Sequence, residues 1–436
     1  MTATPPPSTS PSAVSSAAFF ALFSMTVVYF FSVFQRIAVP GTLFNEIHSD
    51  PLLNANGPIA AAAVTALGSI YLGIYGIIQI FVGWLADRFG GARLIRWSGV
   101  LLAAGTLIFP FAATLDTLYA ARVLVGTGAS GMYLSVVKEI ALRYPARRFS
   151  AILGTCTFVG HAGGLAATYP LERAVRVAGG WREALFCVGI LTAVAVALSF
   201  WTLRRSRAPA VVLPLSFAGF RSVLNRRTFS VLAVSAINFS VYFAVLSTNG
   251  KKCLQDVAGL DSGSAALVVS LMSAVSLVAI LVGGRLVSWA GDRRKPFVWT
   301  GCGLTLAATA AVVLGIRGDA NPWLITGGYI AFAAAQVASV PLVAVLKELV
   351  PAGREGFAIG ILNSLCYTAT AVAATAAGLF LDRHHAAATT AENAILYPPA
   401  AYIEFFLLIA VLAAASLALV FTIPETRGQP QPSAVS

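Results

Sequence analysis

The sequence predicts an all-α integral membrane protein of twelve transmembrane helices arranged as two six-helix halves. Three observations carry that prediction. Of 436 residues, 58% are hydrophobic and only 11% charged, whereas soluble domains carry about 25% charged residues. The apolar residues gather into twelve stretches, each near the roughly 20 residues that a bilayer core about 30 Å thick requires. The polar turn from Gly83 to Arg96, set between two apolar runs, recurs in degraded form from Gly284 to Lys295. A repeated charged turn among membrane helices points to a transporter built from two related units.

Residues 1–16 are rich in Pro, Ser and Thr, carry no charged side chain, and read as a disordered tail. A cleavable signal would begin with a positive region. Spans are expected near 17–39, 59–86, 94–113, 118–143, 150–170 and 183–203, so the first bundle covers 17–203. The segment 204–228 holds six arginines and divides the spans six and six as a cytoplasmic linker. The second bundle, 229–424, has spans expected near 229–249, 263–290, 297–315, 323–349, 357–381 and 399–423. Residues 425–436 form the C-terminal tail. The cysteines Cys156, Cys187, Cys253, Cys302 and Cys366 are scattered, with neither metal-ligand spacing nor a disulfide framework.

The net charge of +12 has a topological reading rather than a nucleic-acid one. With both termini in the cytoplasm, the inner loops hold 19 Lys and Arg against 7 outside, among the latter Arg182, Lys251 and Lys252. That bias follows the positive-inside rule. Most of the seven tryptophans fall near span ends, as an interfacial belt requires. The expected location is a plasma membrane, bacterial inner membrane, with the lipid bilayer as surroundings and no nucleic-acid partner.

The halves also resemble each other. Gly83, Leu85 and Gly90 match Gly284, Leu286 and Gly291 at a constant offset, and Lys138-Glu139 is echoed by Lys347-Glu348. The turn after the second span carries Gly83, Leu85, Ala86, Asp87, Arg88 and Gly90, while Leu118, Arg122, Gly126, Gly128 and Ala129 follow a second spacing in the fourth span. With these two motifs, twelve spans and a mid-chain loop, the chain resembles the major facilitator superfamily over nearly its whole length. That resemblance implies a monomeric carrier without a cofactor. It also implies that Asp87, paired with Arg148, latches the cytoplasmic side, and that Arg122 serves coupling or structural pairing. Two departures stand out: Ser288 replaces the expected Asp in the second copy, and Gly160-His161-Ala162-Gly163-Gly164 lacks the Gly-Pro step of the family's drug/proton antiporters.

The spans supply candidate site residues. Tyr29, Ser32 and Arg36 share one face of the first span. An embedded arginine normally faces the bundle interior, where its planar fork suits a carboxylate or phosphate, or else it snorkels to the headgroups. The family's organic-phosphate antiporters carry this arginine about eight residues before the proline; here it is four. Tyr133 lies three turns beyond Arg122. Asn238 and Tyr242 share a face of the seventh span, and Tyr329 and Gln336 a face of the tenth. Such groups either line a cavity or act as interhelical hydrogen-bond glue. Tyr75, Gln79, Asn363, Tyr367 and Thr370 form similar stripes. Lys138, Glu139, Lys347 and Glu348, near the cytoplasmic ends, fit gating or local ion pairs. His161 is a candidate proton carrier or a packing histidine.

No acidic residue falls at the middle of an expected span. Embedded cations without embedded anions favour a negatively charged solute, a carboxylate or phosphorylated metabolite, moved alone or with a proton through a cavity lined by spans 1, 4, 7 and 10. Two alternatives remain: a proton-antiporting exporter of drugs or siderophore-like compounds, and a non-transporting membrane sensor on the same scaffold. The absence of a P-loop argues against ATP-driven transport, and no paired catalytic cluster suggests an enzyme.

Overall fold

The computed structural model describes residues 16–55, 57–144, 146–204, 223–318, 320–351, 354–391 and 394–427. Nearly all of the expected 204–228 linker lies outside them, as do the side chains of Asp87 and Arg148.

Among the described residues, eleven candidate membrane spans and one shorter apolar helix, span 5, follow one another. In the first half they are span 1 (Ser16–Ile37), span 2 (Ala61–Phe89), span 3 (Gly91–Ile108), span 4 (Leu115–Arg143), span 5 (Ala146–Ala166) and span 6 (Trp181–Thr202). The second half holds span 7 (Arg226–Asp256), span 8 (Ser262–Trp289), span 9 (Lys295–Arg317), span 10 (Pro322–Leu349), span 11 (Glu355–Arg383) and span 12 (Pro399–Val420). Eleven are long and apolar enough to cross a membrane, while the apolar stretch described in span 5, Ile152–Ala166, is shorter. Helix starts are written locally. Asn225 closes a capping box with Thr228, Asp261 and Asn321 accept from the first amides of spans 8 and 10, and proline opens spans 9, 10 and 12. At the polar turn, Gly90 sits at φ +78°, a conformation open to glycine, and so ends span 2 and starts span 3 within one residue.

Two helices break where they meet. In span 1 Val39 leaves the helical region and Pro40 has no N–H, so the chain passes through a π turn at Ala38–Thr42. Span 7 has a matching π turn at Val245–Asn249, and a Cβ on Gly41 would lie only 2.9 Å from the Ser247 Cα. Both breaks sit at the end of the bundle opposite the polar turn. The hydrogen bonds described between the halves gather there too. Lys251 Nζ donates to the Thr42 carbonyl (2.8 Å) and pairs with Glu46 (3.3 Å), and Asn45 donates to Gln255. The Asp382 carboxylate of span 11 accepts from the Ala61 and Ala62 amides, capping span 2 across the interface, while Ser270 bonds Thr168 and the Tyr169 amide. This far end is a polar seam.

Four local features depart from the sequence expectations or add to them. Lys251 and Lys252 were expected in an outer loop; they are buried on the helical turn Gly250–Asp256 that continues span 7. Lys252 is accommodated there by Asp256 (2.5 Å) and the Ile395 carbonyl, and Asp256 also accepts from Tyr402 and the Tyr397 amide. Asp256 thus places a buried, paired carboxylate at the far end of span 7. Second, a small antiparallel hairpin, β1 (Thr389–Ala391) with β2 (Ala394–Leu396), interrupts the otherwise all-α chain between spans 11 and 12. Third, Trp181 is buried rather than interfacial, because it donates to Asp50 together with Arg182, which also donates to the Pro110 and Ala112 carbonyls. Fourth, no described residue lies within 4 Å of a Cβ placed on Gly83.

Candidate functional site

Between the halves lies a cavity of about 230 Å³, walled by spans 1, 5, 7, 8, 10 and 11. Arg36 enters it from span 1. A helical side chain leans toward its own N-terminus, which here carries the guanidinium away from the far end and toward mid-depth. There it lies 4.8 Å from the ring centres of both Tyr75, in span 2, and Tyr367, in span 11, and its Nη1 donates to the Tyr367 hydroxyl at 2.6 Å. Arg36 is only 4% exposed, so it does not snorkel. Its Nε is buried without a partner, and among the described residues no carboxylate lies within ion-pairing distance. The Tyr75 and Tyr367 rings, their centres 4.4 Å apart, thus flank the cation on one side.

Of the sequence candidates, Arg36, Asn238, Tyr242, Gln336 and His161 line this cavity; Tyr29, Ser32, Tyr133 and Tyr329 are not among the lining residues. Asn238 is already satisfied by Ser416, Thr305 and the Val234 carbonyl. The Ser32 hydroxyl donates to the Tyr29 carbonyl, and fully buried Tyr329 donates to the Gly250 carbonyl. Tyr29 stands behind the wall between Tyr133 and His161, its ring centre 5.9 and 6.1 Å from theirs. This arrangement depends on the glycines of span 5. A Cβ on Gly160 would fall on the Tyr29 ring and one on Gly163 on the Phe30 carbonyl, so small residues bring spans 5 and 1 together. His161 Nδ1 lies 2.8 Å from the Thr157 carbonyl.

Span 4 was expected among the walls, yet none of its residues is among those lining the cavity. Arg122 explains its different position. Fully buried, it donates Nε to the Leu67 carbonyl (3.0 Å), Nη1 to Gln35 (3.1 Å) and Nη2 to Val39 (3.0 Å), and stacks on Tyr71 at 4.6 Å. The break at Val39–Pro40 exposes backbone carbonyls that need donors, and Arg122 supplies them.

Near the polar turn, Glu139 accepts from the Ala92 amide (2.8 Å), capping span 3, and pairs with Arg143 (2.8 Å). Glu348 pairs with Arg294 (2.6 Å), Lys347 is exposed, Lys138 is half-buried, and Arg88 stacks on Trp84 and Phe89. The sequence reading omitted Tyr75 and Tyr367 from the site, although both stood in polar stripes, and missed Ser273 and Ser276 of span 8. No spacing within the chain announces that Tyr367 meets an arginine 331 residues away.

Among the described residues, eleven candidate membrane spans and one shorter apolar helix in two halves, closed over a cavity that holds a buried cation, define a multi-pass membrane protein of the carrier type. The chain belongs to the Major Facilitator Superfamily, whose profile matches residues 14–375. It is 25% identical over 179 residues to the probable sulfoacetate transporter SauU of Cupriavidus necator, a match covering 41% of this chain and only 38% of that relative. To the sialic acid transporter NanX of Escherichia coli it is 23% identical over 287 residues, 64% of this chain and 67% of the relative. Among solved structures, a bacterial homolog of the human lysosomal transporter Spinster, inward-facing and unoccupied, superposes with a TM-score of 0.75. It covers 97% of this chain and 100% of its own at 17% identity, a likeness of fold.

Proposed function

We propose that this protein is a secondary transporter of a bacterial inner membrane that moves a small organic anion, a carboxylate or phosphorylated metabolite, by alternating access. The observation that carries the reading is Arg36, buried in the central cavity with its Nε unpartnered and no carboxylate beside it. A cation held this way is stabilised when an anion arrives. Because Nη1 already binds Tyr367 of the other half, an anion on Arg36 touches the joint on which the halves would rock. The relatives named above are named for acids, which agrees.

With the polar turn in the cytoplasm, the polar seam at the far end faces outward. Asp87, Arg88, Gly83, Gly90 and Arg148 then belong to a latch that engages when the cytoplasmic side closes. Lys138, Glu139, Lys347 and Glu348 organise the same end. Tyr242 and Gln336 serve as cavity wall, and His161 faces the cavity with Nε2 as a hydrogen-bond acceptor.

The test is thermal stabilisation of the purified protein by anionic, neutral and cationic metabolites, followed by counterflow in liposomes with the compounds that bind. Anions are expected to stabilise the wild type. Arg36→Ala removes at least one charged hydrogen bond, about 1.5–3 kcal/mol, and is expected to weaken anion binding roughly tenfold to a hundredfold. Stabilisation by hydrophobic cations, equal in the variant, would refute the proposal and favour an exporter.

A further inference from the structure

The geometry points to a narrower ligand: a monocarboxylate with a compact apolar body and a hydrogen-bond donor at its other end. This rests on the anion reading above and deepens it. The charge count comes first. Among the described residues that line the cavity, Arg36 is the one guanidinium, and no lysine joins it. His161 is the remaining basic side chain there. Its Nδ1 faces the Thr157 carbonyl at 2.8 Å; a carbonyl only accepts, so the proton sits on Nδ1 and the neutral ring has Nε2 left as an acceptor. An acceptor does not attract a second anionic oxygen. A phosphate ester or dicarboxylate would therefore bring one charge more than these walls can pair, and an unpaired buried charge is strongly disfavoured.

Arg36 itself limits what it can hold. The Tyr75 and Tyr367 rings, their centres 4.4 Å apart, lie together to one side of it, and Nη1 is engaged by the Tyr367 hydroxyl. Nε is enclosed by its neighbours, and one planar carboxylate suits the single guanidinium that lines the cavity among the described residues.

The rest of the wall selects the body. Val33, Ile37, Phe239, Phe243, Leu277 and Leu342 make it apolar, and 230 Å³ is smaller than the roughly 300–1,000 Å³ of sites for drug-sized ligands. On spans 7 and 8 the lining hydroxyls have committed their protons. Ser235 donates to the Val231 carbonyl (2.7 Å), Ser273 to Val269 (3.2 Å), Ser276 to Ser273 (2.8 Å), and Tyr242 to the Ser276 hydroxyl (2.7 Å). Those oxygens can accept but not donate, which matches a hydroxyl on the ligand and opposes a second carboxylate.

The experiment ranks benzoate, para-hydroxybenzoate, phthalate, glycerol phosphate and the neutral isostere benzamide by thermal stabilisation of the wild-type protein, and repeats the ranking with Arg36→Ala and Ser273→Ala. The expected result is para-hydroxybenzoate bound at least about tenfold more tightly than phthalate or glycerol phosphate, with the gain lost in Arg36→Ala. Ser273→Ala should bring the affinities for para-hydroxybenzoate and benzoate closer together. If phthalate or glycerol phosphate binds best and needs Arg36, the monocarboxylate inference falls while the anion reading stands. If benzamide binds best and Arg36→Ala leaves it unchanged, both fall. The wild-type ranking decides between these even if a variant does not fold.

Discussion

Replacing Arg122 with lysine asks whether this arginine holds the bundle together or couples transport. Arg122 makes three hydrogen bonds, all to backbone carbonyls, at Leu67, Gln35 and Val39. They tie spans 2 and 4 to the break in span 1. Lysine keeps the charge but loses the rigid fork, and one ammonium cannot reach three carbonyls set around a planar guanidinium. If two carbonyls lose their donor in a buried setting, at roughly 1–3 kcal/mol each, the loss is about 2–6 kcal/mol. Thermal unfolding followed with a thiol-reactive dye measures this directly, because Cys156, Cys253, Cys302 and Cys366 are buried and react on unfolding, while Cys187 is exposed and gives the baseline. The expected result is a markedly lower melting temperature with the order of ligand preference unchanged in whatever protein remains folded. Wild-type stability together with lost or uncoupled transport would refute the structural assignment and return Arg122 to the coupling role that the family motif implies.

Two further outcomes are expected. Gly160→Ala sets a methyl on the Tyr29 ring; overpacking of this kind costs about 1–3 kcal/mol, so melting temperature and anion affinity should both fall, and an unchanged protein would show that spans 1 and 5 are not tightly apposed. His48, in the connection between spans 1 and 2, is held down to about 4 by burial, by Lys252 and by His385. A histidine with its folded pKa below the ordinary 6.5 is neutral when folded, so its contribution is intact above pH 6.5 and is lost as pH falls from there toward 4, by about 3 kcal/mol in all. Melting temperature should drop across that window in the wild type and much less in His48→Phe; equal acid sensitivity in both would exclude His48 as the source.

The helical architecture was legible because the bilayer imposes one length and one polarity on each span. Arg36 was legible for the same reason: a charge amid apolar residues stands out wherever it points. Its surroundings were not. Tyr75 and Tyr367 look like any polar stripe until spans 1, 2 and 11 converge, and Tyr329 and Ser32 carry the same pattern yet spend their hydroxyls on backbone carbonyls. Lys251 and Lys252 were misplaced because two adjacent charges suggest water. Asp256 one turn later and carbonyls from Thr42 and Ile395 do the work of water instead. Glu139 shows a subtler limit. Its neighbours in sequence suggested gating or local ion pairs, whereas one carboxylate oxygen caps span 3, a partner set by where the helix starts in space.

The seam at the far end has a consequence for reversibility. Asp382, Lys251, Asn45 and Ser270 fasten the halves with groups that water can satisfy almost as well. If the halves part, each amide, ammonium and carboxylate exchanges a protein partner for a solvent one at a net change near 1 kcal/mol. A zipper of leucines in the same place would release apolar area to water at about 25 cal/mol for every Å² and hold one shape permanently. Closing this end with polar contacts keeps sealed and unsealed forms close in free energy, so the modest energy of one bound solute is enough to choose between them.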